Sequence, residues 1–131
     1  MAGTVLIPLG GGGGGSNDVS FALSIVDQPL AGQIINIAIP TGLKLTISEN
    51  MSGSKGKASV AANAQSDFDV RKNNSSVGTI RFGATETSPS FIMASATEFD
   101  GDSGDYMTIV CPNPQDSNLA NIGITIKGTR S

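Results

Sequence analysis

Two alternating runs of apolar residues, separated by a short polar turn, constrain this chain more than any other feature. The runs are Phe68 to Lys72 and Val77 to Phe82, and the residues between them, Asn73 to Ser76, are typical of a turn. An apolar residue at every second position indicates a strand with one buried face. The two runs therefore predict an antiparallel hairpin and place the chain in the β class.

Further short runs of the same kind occur along the chain at intervals of about ten residues. They are Val19 to Ile25, Ile34 to Ile39, Leu43 to Ile47, Ser90 to Ala94, Tyr106 to Cys111 and Ile122 to Lys127. The run at Ile34 is apolar on both faces apart from Asn36, which favours a central strand. No segment has a convincing helical period. The pattern predicts an all-β fold, an antiparallel β-sandwich that is jelly-roll-like.

The composition limits the core and the class of partner. A chain of 131 residues suits one domain, and with five Phe, one Tyr and no Trp its core must be mostly aliphatic. The net charge is −3, and the five acids from Glu98 to Asp116 are not interrupted by a base. A nucleic-acid-binding protein requires the reverse, a basic patch, so nucleic acid is not an expected partner. No run approaches the ~18 apolar residues of a membrane span, and the N-terminus lacks the features of a secretory signal.

An apolar segment and a run of six glycines precede the first of these strands. Fully extended, Gly10 to Ser16 spans roughly 20–25 Å. One interpretation is a flexible linker, and the sequence leaves open whether the glycine run is native. The other is an arm whose strand-forming tip docks on a neighbouring subunit. The candidate partner-binding residues of that tip are Val5, Leu6, Ile7, Pro8 and Leu9. We therefore divide the chain into a flexible N-terminal arm, residues 1–16, and a single β-sandwich domain, residues 17–131.

Two irregular segments are predicted to be exposed loops. Glu49 to Gln65 is rich in small polar residues, and Glu98 to Asp105 is acidic. The acidic segment contains a dense carboxylate cluster, formed by Asp100, Asp102 and Asp105. An oxygen-rich loop suits Ca²⁺, but the spacing here is not that of an EF-hand. We favour a solvated turn, predict no metal site, and leave calcium binding by these three residues open.

The residues that most catalytic sites need are missing from the sequence. There is no His, which excludes His-dependent triads and the usual zinc sites. The single cysteine, Cys111, continues the alternation of its strand and is expected to be a small buried residue. Paired carboxylates for glycoside hydrolysis would have to come from Asp67, Asp69, Glu86 and Glu98. None has an apolar context that would raise its pKa, and no Trp offers a platform for a sugar ring, so we predict no catalytic residue and no cofactor.

Several short patterns occur together in the C-terminal half. They are Phe-x-Val-x-Lys-Asn at Phe68 to Asn73, Val-Gly-Thr-Ile-x-Phe at Val77 to Phe82, Phe99 with Gly104-Asp105, Val110 to Pro114, Asp116 with Leu119-Ala120, Ile122 to Ile126, and the ending Gly128-Thr129-Arg130. Together they resemble a small β-rich module of tailed-bacteriophage virion proteins, found at the end of tail-fibre-like chains and as stand-alone capsid-decoration-type proteins. One departure is that Gly-Asp occurs twice in the acidic loop, where the module usually has a shorter turn.

The resemblance implies a non-enzymatic structural protein of the virion, assembled in the host cytoplasm. The leading expectation is a capsid decoration (cement) or head-surface accessory subunit. It would be a homo-oligomer, expected to be a trimer, anchored to other virion proteins through its N-terminal arm. The alternative is a tail-fibre tip or baseplate adhesin that binds a host-surface glycan or protein in a groove built by the two irregular loops. A glycan-cleaving enzyme is the least favoured interpretation.

Overall fold

Eleven strands account for most of the residues that the structure describes. The computed structural model describes residues 3–9 and 17–130, and the predicted glycine linker, residues 10–16, lies outside them. The strands are β1 (Gly3–Leu9), β2 (Asp18–Val26), β3 (Ile34–Ala38), β4 (Lys44–Ile47), β5 (Lys55–Val60), β6 (Ser66–Lys72), β7 (Ser75–Phe82), β8 (Ser90–Met93), β9 (Thr97–Asp100), β10 (Tyr106–Val110) and β11 (Ala120–Arg130). The described helical segments are two short 3₁₀ turns, Glu49–Met51 and Gly101–Ser103. Neither has the length to cross a membrane.

The strands form two antiparallel sheets. The six-stranded sheet has the order β1-β2-β11-β4-β9, with β5 pairing with β11 beside β4. The five-stranded sheet has the order β3-β10-β6-β7-β8. The chain crosses between the sheets repeatedly, for example from β2 to β3 and from β10 to β11, as in a jelly roll. The predicted all-β antiparallel sandwich is confirmed.

The core fills the space between the two sheets. On β2 the apolar positions Phe21, Leu23 and Ile25 are buried, as their alternation predicts. The rings of Phe68 and Phe82 meet edge to face, with 5.8 Å between their centroids. Cys111 belongs to the same cluster, and burial raises the pKa of its thiol to about 11. The expectation that Cys111 is a buried apolar residue is confirmed.

The hairpin of β6 and β7 turns on two residues. Lys72 pairs with Ser75, so Asn73 and Asn74 alone make the turn, and their φ angles are 49° and 70°. Two positive φ values characterise the type I′ turn, which matches the twist of the strands on either side. Asparagine tolerates this left-handed conformation better than other non-glycine residues. The structure confirms the hairpin and shortens its predicted turn.

The segment from Glu49 to Gln65 is not one exposed loop, as the sequence suggested. Met51 is buried in the first 3₁₀ turn, and β5 then pairs with β11. The alternation of large apolar residues did not reveal this strand, because small residues are enough to fill its buried face. Ala58 is buried, and a Cβ at Gly56 would come within 2.6 Å of the ring of Pro89.

Two other assignments also change. The run at Ile34 forms an edge strand, not a central one, and Ile34 is 60% exposed. A run that is apolar on both faces cannot show whether its outer face is covered, because isolated apolar residues are common on protein surfaces. In the acidic segment, Glu98 and Phe99 belong to β9, which pairs with β4, and only Gly101 to Asp105 remain as a loop.

Close packing around Gly128 of β11 yields a stability test. A Cβ at Gly128 would lie 2.6 Å from Leu45 Cδ1 and 2.8 Å from the carbonyl oxygen of Thr46, whereas a Cβ at Gly123 of the same strand has 4.0 Å to its nearest neighbour. We expect Gly128→Ala to lower the free energy of unfolding by about 1–3 kcal/mol, the usual cost of overpacking. Gly123→Ala is the matched control and should leave it unchanged or slightly raised in urea denaturation. Equal effects of the two variants would contradict the packing described.

Candidate functional site

The predicted partner-binding residues lie in an edge strand. Val5, Leu6, Ile7, Pro8 and Leu9 belong to β1, which runs antiparallel to β2 of the same chain from Gly3 opposite Val26 to Leu9 opposite Ser20. The other side of β2 is occupied by β11. The tip is thus a strand at a sheet edge of its own chain, where Pro8 is tolerated. Docking of this strand on a neighbouring subunit stays a prediction.

The connection between β1 and β2 is unusually long for a hairpin. Ten residues, 10–19, separate the paired residues Leu9 and Ser20, whereas two separate the paired residues Lys72 and Ser75 of β6 and β7. A two-residue turn fixes both the partner and the register of a strand. A ten-residue connection does not set the register, so the register of β1 on β2 comes from the strand pairing itself.

The carboxylates of the acidic loop accept hydrogen bonds from the loop itself and from neighbouring turns. Asp100 Oδ1 accepts a hydrogen bond from the backbone N–H of Asp102, and Asp102 Oδ1 accepts one from Gly42, both at 2.9 Å. Asp105 accepts hydrogen bonds from the Asn73 side chain and from the Asp100 N–H, and these, in that order, hold its pKa below the ordinary value. The described residues contain no group of three or more metal-ligating side chains. The loop therefore joins the β6–β7 turn to the start of β10.

The candidate glycosidase carboxylates are not assembled into one site. The guanidinium of Arg81 contacts both oxygens of Asp67, at 2.8 and 3.1 Å, and Arg71 lies 2.6 Å from Asp69. Glu86 follows β7, and Glu98 lies on β9 in the other sheet. Two of the four acids, both on β6, are thus paired with arginine side chains, as expected for a strand face that is exposed to solvent.

A concave surface at one end of the sandwich was not predicted from the sequence. One cleft of about 590 Å³ lies where β2 and β5 end and β11 begins, and a second of about 450 Å³ adjoins it. Gln115 and Ser117 line both, and we call the pair the end cleft. Three connections build it: residues 27–33, 61–65 and 111–119.

The lining of the end cleft is rich in amides and poor in positive charge. Among the residues whose side chains the structure describes, no Lys, Arg or aromatic residue lines it, and its acids are Asp27, Asp67 and Asp116. The aliphatic side chains of Leu30 and Val60 contribute an apolar wall and are 47% and 43% exposed. The amide side chains around it are those of Gln28, Asn63, Gln65, Asn113, Gln115 and Asn118.

Asp116 holds two of the three connections together. Its carboxylate accepts hydrogen bonds from the backbone N–H groups of Asn63, Ala64, Asn118 and Leu119, at 2.8 to 3.1 Å. Burial by itself would raise the pKa of Asp116, but the four N–H donors outweigh it and lower the pKa well below the ordinary value. The ionised carboxylate therefore fixes residues 63 and 64 against residues 116–119.

Gln28 joins the third connection, residues 27–33, to the loop of residues 111–119. Its side-chain N–H donates to the carbonyl oxygen of Ser117 at 2.7 Å, and its oxygen accepts from the side chain of Gln115 at 3.0 Å. Nearby, the N–H of Asp27 donates to Asn121 Oδ1 at 2.9 Å. These bonds set the walls of the end cleft in place before any ligand arrives.

Comparisons with known proteins do not identify a family. No family model matches the chain, and no curated protein matches it. Among solved structures it is similar to a glycoside hydrolase family 43 arabinoxylan arabinofuranohydrolase from Bacillus subtilis, solved in complex with cellotetraose. The TM-score is 0.41 and the identity 14%, over 98% of this chain and 24% of that one, so this chain spans about a quarter of that protein's length. A similarity this low supports no inference about fold or activity.

The contacts of Asp116 predict a pH-dependent stability. We expect Asp116→Asn to lower the free energy of unfolding at pH 7 by about 2 kcal/mol, because the amide is a weaker acceptor for the four N–H groups. Since the folded-state pKa is depressed, this stabilisation is present above the unfolded pKa of about 3.9 and is lost as the pH falls below it. Urea denaturation at pH 7 and pH 3 should therefore show a difference from wild type that shrinks in acid.

Asp27→Asn is the matched control for that variant. Asp27 lies at the same end of the molecule, but its carboxylate makes no hydrogen bond to the rest of residues 17–130. Its substitution should leave the free energy of unfolding nearly unchanged at both pH values. A loss at pH 7 as large as that of Asp116→Asn would mean that general charge, and not the N–H contacts, is responsible.

Proposed function

We propose that this chain is a non-enzymatic structural protein of a phage virion, a capsid decoration or head-surface accessory subunit attached through its N-terminal strand. The observation that carries the proposal is the position of β1. It is an edge strand that pairs with β2 of its own chain, and it is joined to β2 by a ten-residue connection that does not set its register. A strand of this kind can add to the sheet of a neighbouring virion protein instead.

Strand addition would supply the attachment energy from the main chain. The seven residues of β1 pair in continuous register with β2, so the segment presents a full row of backbone donors and acceptors, interrupted only at Pro8. An added strand uses the same hydrogen bonds on a partner's sheet edge, while alternate side chains give specificity. The glycine-rich sequence 10–16 would let β1 reach that edge, up to roughly 20–25 Å away.

The residues that carry the family resemblance support a structural role. Phe68, Phe82 and Phe99 are fully buried, and Asn73 and Asp105 join two turns through a side-chain hydrogen bond of 2.9 Å. These positions build a scaffold and supply no catalytic groups. The proposal includes the expected homo-oligomer, with a trimer as the expected form, and a location in the virion after assembly in the host cytoplasm.

The end cleft favours a second candidate function, an adhesin at a tail-fibre tip or baseplate. Such a protein needs an exposed groove for a host-surface glycan or protein, and the end cleft is one. Of the two irregular loops expected from the sequence, Glu49 to Gln65 contributes one wall through residues 61–65, and Glu98 to Asp105 contributes none. The walls are the connections at residues 27–33, 61–65 and 111–119.

Deletion of residues 1–15 tests the attachment role. We expect the truncated protein to keep its β-sandwich, since the core residues from Val19 to Ile126 are all retained, and to lose at least tenfold in its binding to phage particles stripped of this protein. The loss follows because the main-chain hydrogen bonds of β1 are removed. Binding is measured by co-sedimentation with the particles, and folding by circular dichroism.

Two length-matched variants make this test specific. Leu6→Pro removes a backbone donor within β1 and should weaken sedimentation with the particles, whereas alternating Gly and Ser at residues 10–15 keeps the tether length and should not. Full decoration by the truncated protein would refute attachment through the arm. If that protein also bound host cells, the adhesin would be the better candidate.

A further inference from the structure

The end cleft has the size and shape of a site for an elongated ligand. Its two parts, of about 590 and 450 Å³, each fall in the range of small-ligand pockets. Because Gln115 and Ser117 line both parts, the two clefts adjoin at the loop of residues 111–119, and we call them together the trough. Among the side chains that the structure describes, those that line the trough lie between Asp27 and Ala120.

Three amide side chains in the trough are exposed to solvent and are available to a ligand. The side-chain amides of Asn63, Asn113 and Asn118 make no hydrogen bond to other residues of the described chain. Each amide offers both donors and an acceptor. Groups of this kind match the alternating N–H and C=O of an extended peptide main chain.

The negative charge of the trough favours a ligand that carries a basic group. Asp67 is paired with Arg81, and Asp116 is occupied by four backbone N–H groups, but Asp27 forms no ion pair in the described part of the chain. No Lys or Arg lines the trough to compensate it. An unpaired carboxylate at the rim attracts a basic side chain and repels an acidic one.

The apolar wall adds a second requirement. Leu30 and Val60 lie in the same part of the trough as Asp27 and leave nearly half of each side chain exposed. Covering them with an aliphatic side chain would remove apolar surface from water. A flat sugar ring would find no aromatic face there to stack on.

We propose that the end cleft binds an extended peptide segment that carries a basic residue beside an aliphatic one. Asp27 contacts the basic residue, Leu30 and Val60 contact the aliphatic one, and the free asparagine amides bind the main chain. This goes beyond attachment through β1, because it gives the protein a second site for the tail or loop of another protein.

The test uses the full chain labelled with ¹⁵N. It is titrated with acetylated, amidated hexapeptides that differ in which positions carry Lys, Leu or Val, and with the same peptides carrying Glu in place of Lys. We expect the side-chain amide signals of Asn63, Asn113 and Asn118 to shift with the Lys peptides, and much less with the Glu peptides. A neutral xylo- or cello-oligosaccharide is titrated in parallel.

Single substitutions then locate the contacts. Asp27→Asn should weaken binding of the Lys peptides about two- to fivefold, the range for an exposed ion pair, and reduce its salt dependence. Val60→Lys should abolish binding, because it adds repulsion and removes the apolar contact. Glu98→Gln changes the net charge equally on β9, outside the cleft, and should leave binding unchanged.

Three outcomes would overturn the proposal. They are no shift of the three asparagine signals with any peptide, equal binding of the Lys and Glu peptides, or shifts caused by the oligosaccharide and not by the peptides. The last result would assign the cleft to a glycan and support the adhesin. None of them bears on particle binding through β1, which the truncated protein tests.

Discussion

The six-stranded sheet depends on the main-chain hydrogen bonds of β11. This strand pairs with β2 along one side, from Ile122 opposite Ile25 to Thr129 opposite Asp18, and with β5 and then β4 along the other. Its partners come from the first half of the chain, so the sheet cannot close until the last strand is in place. Contacts this distant in sequence close large loops and make folding slow. The tight fit around Gly128 shows how little space is left where β11 pairs with β4.

Strands with large apolar residues at alternate positions were predictable, and strands without them were not. The pattern identified β2, β7 and β11 because residues such as Phe21, Ile80 and Ile126 are needed to fill the core. It missed β5, where backbone pairing with β11 decides the structure and Ala58 is enough to fill the buried face. The position of β3 at an edge was also beyond the pattern, since periodicity records which face is apolar and not which neighbours a strand has.

The two candidate sites, the N-terminal tip and the end cleft, also differ in whether the sequence reveals them. The N-terminal tip was recognisable because its apolar residues and Pro8 restrict it to a sheet edge, and the structure places it at one. The end cleft was not recognisable, because its walls come from three connections that meet only in the fold. Asp116 lies 53 positions from Asn63, and nothing in the sequence shows that they are in contact. The one local signal was the concentration of Pro, Asn, Gln and Ser between Pro112 and Asn118, which is equally typical of an ordinary loop.

The outer edge of β3 has a consequence for how concentrated solutions of this protein behave. From Gln28 to Leu43 the chain contains no charged residue, and Ile34 is largely exposed. Edge strands are usually kept from pairing with other molecules by charges, proline or a covering loop. Here Pro40 lies beyond the end of the strand, so its five residues present an uncharged row of backbone groups to solvent. Association between molecules should therefore be favoured along this edge. Substitution of the exposed Ile34 by lysine is the simplest way to improve solubility.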